Sequence, residues 1–255
     1  MQARIVETTR GVRWLAEGWR LFRAAPLGWL AAVFGYWLLM TLISLVPFVG
    51  VAAAAVLVPA FSVGFMALAR AAGHKAPLEM TLLFDGLRHE PRAQFALGLI
   101  YLACLAAALA VSALADSGTL AHWMISGERP ADEVLQSEEF ITALATAGAL
   151  YLPVMLAFWF APPLAAWHAT GAAKALFFSF AASMMNWRAF LAYGAVMALV
   201  TLLVPFLIVS AFAVAGAAAP PAGVIILPLA IVLLPTLFAS FYASYRDVFG
   251  YDAAP

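Results

Sequence analysis

Four histidines, one cysteine and a scatter of serines are the residues of this 255-residue chain that could carry covalent or metal chemistry. Their spacing assembles none of it. His74, His89, His122 and His168 fall in polar segments or near the ends of apolar runs, with no HxxxH or HExxH pair among them. Neither zinc binding nor metal-activated hydrolysis is expected. Ser62, Ser112, Ser210 and Ser240 lie in apolar runs with no in-run His or Lys near them, which leaves a nucleophilic mechanism without an activating base. Cys104 is the single cysteine and sits inside an apolar run, so it reads as a small hydrophobe at a helix contact, with no disulfide. Between their ends the long apolar runs hold no Lys, Arg, Asp, Glu or His, where a proton relay would need them. The expectation is a protein that is not an enzyme and takes no metal or other cofactor.

Positive charge is the chemistry that is left, and its placement is ordered. Arg4, Arg10, Arg13, Arg20 and Arg23 precede the first long apolar run, and Arg70, Lys75, Arg88 and Arg92 lie between the second and third. Lys174 and Arg188 lie between the fourth and fifth, and Arg246 follows the last. Arg129 departs from the pattern, in the acidic segment 116–139 with Asp116, Glu128, Asp132, Glu133, Glu138 and Glu139. Basic residues near span ends stay on the cytoplasmic side, so both termini are expected inside. Two subsets could hold phosphate. Arg70, Lys174 and Arg246 each follow a proline (Pro59, Pro163 and Pro235, read as helix-kinking) by eleven residues. They are expected at a cytoplasmic mouth as anion- or lipid-contacting groups. Arg13, Trp14, Trp19, Arg20 and Arg23 are expected as interfacial lipid contacts, with stems along the helix and heads at lipid phosphate.

The elements that position these groups follow from composition. Hydrophobic residues make up 66% of the chain and charged ones 10%, against about 25% charged in soluble domains. A soluble protein of this size could not hide that much apolar surface. Six apolar runs, at 27–46, 50–69, 94–115, 140–161, 190–212 and 223–245, each match the roughly 20 residues a spanning helix needs. Charges reaching Arg23 ahead of a full-length run argue against a cleavable signal peptide. The predicted fold is all-α: one polytopic domain of a bacterial inner membrane with six transmembrane helices. Zero net charge gives no reason to expect nucleic acid. The outer links 47–50 and 213–222 are short and uncharged. In the acidic segment, Pro130 followed by Asp132 and Glu133 suits a first helical turn, so the fourth helix is predicted to begin near Pro130 as a solvated cap.

A threefold repeat is also predicted, with units at 1–69, 76–168 (interrupted by the insertion 116–139) and 174–249. Each unit has an amphipathic helix, a span, an outer link, a proline-containing span and a basic residue. Leu15, Trp19 and Phe22 oppose Arg13, Glu17 and Arg20 in the first. Met80, Leu83, Phe84 and Leu87 oppose Thr81, Asp85 and Arg88 in the second. Phe177, Phe180 and Met184 oppose Ser179, Ser183 and Asn186 in the third, which lacks charge and is expected to be more deeply buried.

The stretch Glu17-Gly18-Trp19-Arg20-Leu21-Phe22 and the terminal Phe241-Tyr242-Ala243-Ser244-Tyr245-Arg246-Asp247-Val248-Phe249 resemble those of a family of small proteobacterial inner-membrane proteins without an assigned activity. More loosely, the layout is similar to the membrane domain attached to bacterial glycerophosphodiester phosphodiesterases. The resemblance implies an all-helical inner-membrane fold. It supplies no catalytic residues, and the soluble phosphodiesterase domain is absent from this sequence.

Three functions are compatible with these features. The first is a passive conduit for small solutes or anions, or a lipid-handling protein. The second is a non-catalytic scaffold or regulatory partner; small-residue stretches such as Ala52–Ala55 and Ala106–Ala108 would serve a homo-oligomer. The third, an intramembrane enzyme, lacks paired catalytic groups. Anionic membrane lipids are the partners the charges predict.

Overall fold

The computed structural model describes residues 2–47, 49–215 and 221–250, and the side chain of Ala222 is not described. Parts of both short outer links, Phe48 and 216–220, therefore lie outside the described residues. Among the described residues, six helices are long and apolar enough to cross a membrane: α2 (Pro26–Ser44), α3 (Gly50–Gly73), α5 (Pro91–Asp116), α8 with α9 (Glu138–Phe158 and Ala161–His168), α11 (Trp187–Val214) and α12 (Ala222–Phe249). Shorter helices join them: α1 (Thr9–Ala24), α4 (Asp85–Arg88), α6 (Thr119–Ser126), α7 (Asp132–Leu135) and α10 (Ala172–Met185). Five of the six predicted runs fall within one of these helices, and the first, 27–46, overruns the end of α2 by two residues. At about 1.5 Å per residue, α11 and α12, with 28 residues each, exceed the hydrocarbon thickness of about 30 Å. Their ends must reach the polar layers.

Chain punctuation follows local chemistry. Pro26 and Pro91 open α2 and α5, where the missing N–H has no helical partner to lose. The fourth span does not start at Pro130. Two short helices, α6 and α7, occupy the acidic segment, and α8 begins at Glu138 because the Ser137 hydroxyl accepts the Phe140 N–H at 3.2 Å. Asp116 ends α5 in a similar way, its carboxylate accepting the N–H groups of Gly118 (2.9 Å) and Leu120 (2.7 Å). The second predicted amphipathic segment is a 3₁₀ turn, Met80–Phe84, running into the single turn α4. Its polar face is not simply solvated: Asp85 is buried beside Leu83.

The chain forms two compact units. The first comprises Met1–Trp37, Gly64–Asp85 and Ala182–Pro255; the second comprises Leu38–Val63 and Gly86–Ala181. In the second, α5 and α8 pack along each other, with Tyr101 edge-on to Phe158 at 5.1 Å and its hydroxyl 3.2 Å from that of Tyr151. Leu120 of α6 is buried with Phe140 and Ala143 of α8, and Trp123 packs against them. In the first, the rings of Phe65 and Phe238 stack at 4.0 Å, and Tyr36 meets both edge-on.

In α10 and the Asn186 that follows it the two predicted faces are present, and the uncharged polar one is the buried one. Ser179, Ser183 and Asn186 are buried, while Phe177, Phe180 and Met184 are exposed. A bilayer solvates the apolar side, and polar groups need partners inside the protein.

Candidate functional site

The densest arrangement of polar chemistry surrounds α1 in the first unit. The buried face of α1 is Gly11, Trp14, Gly18 and Phe22, a stripe one turn or two apart. The two glycines let backbones approach. A methyl group on Gly11 would overlap the carbonyl of Ala189 on α11. One on Gly18 would overlap the carbonyl of Thr236 on α12 and come within 2.9 Å of Ser240. Between them Trp14 is fully buried, edge-on to Phe190 at 5.4 Å and 6.2 Å from Tyr193. Arg10 and Trp14 meet Asp247, Glu17 meets Arg246, and Gly18 meets Ser240 and Thr236. α1 thus runs antiparallel along the last turns of α12. One face of α1 is packed against α11 and α12, and the opposite face is left open.

Four charges close this contact. Arg10 Nε donates to Asp247 Oδ2 at 2.6 Å, and its Nη2 forms an ion pair with the same oxygen. Arg10 Nη2 also reaches Glu17 Oε1 at 3.2 Å, and the other Glu17 oxygen is paired with Arg246. Trp14 Nε1 donates to Asp247 Oδ2 at 2.8 Å. Two guanidinium groups and two carboxylates leave the cluster neutral. Burial alone lowers the Arg10 pKa, but the hydrogen bond and charge of Asp247, with those of Glu17, outweigh it, so the net shift is upward. Arg10 therefore stays charged across the physiological range.

The chain ahead of α1 is held as well. Asn186, between α10 and α11, accepts the Val6 N–H at 2.8 Å and donates to the Arg4 carbonyl at 3.0 Å. Its amide thus pairs with main-chain groups on both sides of Ile5. The Arg4 N–H donates to the Val248 carbonyl at 2.7 Å.

The predicted lipid-contacting residues separate on this frame. Arg13, Trp19, Arg20 and Arg23 are exposed on the side of α1 away from the buried stripe, with the Arg23 guanidinium 5.9 Å above the Trp19 ring. Trp14 is a correction: it is inside, and its indole N–H is used by Asp247. Glu17, expected on the arginine face, is turned into the charge cluster. Of the three basic residues expected at a mouth, Arg246 is taken up by Glu17. Arg70 and Arg246 stand in the last turns of α3 and α12 in the first unit. Lys174 is exposed near the start of α10 in the second unit, 5.8 Å from the Phe178 ring. Pro59 and Pro235 lie inside continuous helices. Pro163 does not: the chain breaks at Trp159 and Phe160, and Pro163 stands in the first turn of α9. Sequence reasoning missed Gly11, Gly18 and the pairing role of Glu17. The signals were a glycine pair seven residues apart around a tryptophan, and the sole acid of a helix holding four arginines.

Six apolar helices of spanning length, carrying a basic face on a docked N-terminal helix, define a polytopic helical membrane protein. The chain is 39% identical to "Probable inner membrane protein BTH_II0599" of Burkholderia thailandensis, in an alignment covering 98% of this chain and 94% of that protein. It belongs to that family of inner-membrane proteins and is itself a multi-pass protein of the bacterial inner membrane. No protein-family model and no solved structure matches it.

Proposed function

We propose that this is a non-catalytic, lipid-handling protein that binds anionic headgroups of the cytoplasmic leaflet through the exposed face of α1, with both termini on the cytoplasmic side. One observation carries the reading. Glu17, the only acid of α1, is consumed by Arg10 and Arg246, so the outer face presents Arg13, Arg20 and Arg23 beside Trp19 with no carboxylate among them. Guanidinium groups bind phosphate bidentately, and a half-exposed indole suits the headgroup layer. The orientation rests on the twelve basic residues that fall between and outside the spans on one side. The threefold plan rests on the equal proline-to-base spacings, of which those from Pro59 and Pro235 start inside a helix and that from Pro163 at a helix start. The conduit reading is weaker, because Glu17 neutralises one member of its ring.

The test is anionic-lipid retention by the full-length protein. Wild type and the triple variant Arg13→Gln, Arg20→Gln, Arg23→Gln are reconstituted with graded anionic lipid, and bound lipid is measured after exchange. Each charge removed should cost about 1 kcal/mol, or about fivefold in affinity. Unchanged retention by a folded triple variant would move the scaffold reading ahead.

A further inference from the structure

We infer that α6, in the second unit, is an interfacial foot whose exposed apolar side lies in the acyl–glycerol layer of the leaflet at which α5 ends. The inference is independent of the α1 face. It begins with how the eight residues Thr119–Ser126 divide around the helix. At about 100° per residue, Leu120 and Trp123 share one side, Ala121, Met124 and Ile125 a second, and Thr119, His122 and Ser126 a third. Leu120 is buried with Phe140 and Ala143, and the Trp123 ring stands 6.0 Å from that of Phe140, so the first side faces protein. The second is apolar and open, with Met124 62% and Ile125 63% exposed. The third is polar and continues into the acidic segment. His122 Nε2 lies 3.3 Å from a Glu128 carboxylate oxygen, and Ser126 Oγ accepts the Glu128 N–H at 3.1 Å. Protein and water alone leave the second side unexplained; protein, lipid and water account for all three.

The depth of α6 is fixed as well. The chain reverses after α5 through Ser117 and Gly118, both left-handed, with φ of 55° and 89°. The buried Asp116 carboxylate accepts the N–H groups of Gly118 and Leu120, and Thr119 Oγ1 donates to the Asp116 carbonyl at 2.9 Å. These bonds set the angle at which α6 leaves. It packs back on α5 and α8 instead of rising from them. The cluster around Leu120 takes in Leu109, two turns before the end of α5, and Ala147, more than two turns into α8. Leu114, in the last turn of α5, is 87% exposed, and a leucine so placed on a spanning helix faces lipid. Hydrocarbon thus reaches the level at which Met124 and Ile125 are held. α6 has no Lys or Arg, and Glu128, Asp132 and Glu133 follow it, so this contact rests on apolar burial and not on headgroup charge.

The experiment uses the full-length protein in a Cys104→Ala background, with Leu114→Cys, His122→Cys, Met124→Cys, Ile125→Cys or Glu133→Cys introduced singly. All five positions are exposed, so each variant should fold. Each is labelled with a nitroxide and reconstituted in phosphatidylcholine vesicles, and its collision rates with oxygen and with a water-soluble nickel chelate are compared. Leu114 and Glu133 set the lipid and water limits. Met124 and Ile125 should read close to the lipid limit, about 5–10 Å into the headgroup–acyl boundary, and His122 close to the water limit. Adding anionic lipid should leave the Met124 and Ile125 readings unchanged. Water-like readings at both overturn the proposal and make α6 a solvated cap. Shielding of both from oxygen and nickel alike overturns it too, since a second copy or another protein would then cover that side.

Discussion

Gly18→Ala is the sharpest probe of how α1 is held. The added methyl would overlap the Thr236 carbonyl and stand 2.9 Å from Ser240 N and Cβ, closer than carbon atoms settle. α1 and α12 must then part by roughly 0.5–1 Å, which forfeits a quarter to a half of each dispersion contact across the gap. Overpacking of this kind costs about 1–3 kcal/mol. Alanine returns up to about 1 kcal/mol through helix propensity, leaving a net loss of up to about 2 kcal/mol. Gly35→Ala in α2 is the matched control, because a methyl there meets nothing within 4 Å. It should gain up to about 1 kcal/mol. The two variants, identical in chemistry, should differ by about 5–10 °C in unfolding midpoint when scanned at one rate in one detergent. If Gly18→Ala unfolds at or above the midpoint of Gly35→Ala, α1 is not packed against α12 as described.

Other consequences follow from the charge cluster, the buried indole and the charge distribution. Arg10→Gln and Asp247→Asn should each destabilise the protein, and the double variant should lose less than the sum, with a coupling of about 0.5–3 kcal/mol by thermal unfolding; strict additivity would mean that the pair is idle. Trp14→Phe keeps an aromatic ring but gives up the indole hydrogen bond to Asp247, at about 1 kcal/mol, whereas Trp19→Phe, on the 40% exposed side chain, should stay within about 0.5 kcal/mol of wild type. Reporter fusions before Arg4 and after Asp252 (the latter outside the described residues) should read cytoplasmic and one at Gly127 external. A cytoplasmic Gly127 reading would end the proposed orientation.

The spans were legible because span length is a one-dimensional signal: about 20 apolar residues are enough, whatever their neighbours. Helix faces were less legible, and α1 shows why. Its sequence invites a split between Leu15, Trp19 and Phe22 on one side and Arg13, Glu17 and Arg20 on the other. The buried stripe instead runs through Gly11 and Gly18, which carry no hydrophobic weight and matter for the side chain they lack. Trp14 has the same apolar character as Trp19, and nothing local separates them; the partner Asp247 lies 233 residues further along the chain. For α10 the two faces were legible and their direction was not, since either side of a helix could meet lipid until Ser179 was seen bonded to Leu156 and Phe160. Pro163 misled through its spacing. Its neighbour Pro162 makes the pair a helix start, while Pro59 and Pro235 have no adjacent proline and lie inside continuous helices.

The charge cluster and the lipid face are two consequences of one rotation. Glycine contacts alone would let α1 slide against α11 and α12 by a turn, because Gly11 and Gly18 are two turns apart and a shifted helix would still present small or apolar residues. The charges remove that freedom. Asp247 accepts from Arg10 and Trp14 together, and Glu17 holds Arg10 and Arg246 together, so all four residues are satisfied in one register only. A partly buried ion pair contributes little net stability, but leaving any member alone costs several kcal/mol. Slippage is therefore penalised more than the native contact is rewarded. With the register fixed, Arg13, Trp19, Arg20 and Arg23 can point only outward. Moving Glu17 to their side would leave Arg246 with only the Asp247 carboxylate 4.0 Å away and set an acid among the three arginines, weakening the lock and the phosphate-binding face at once.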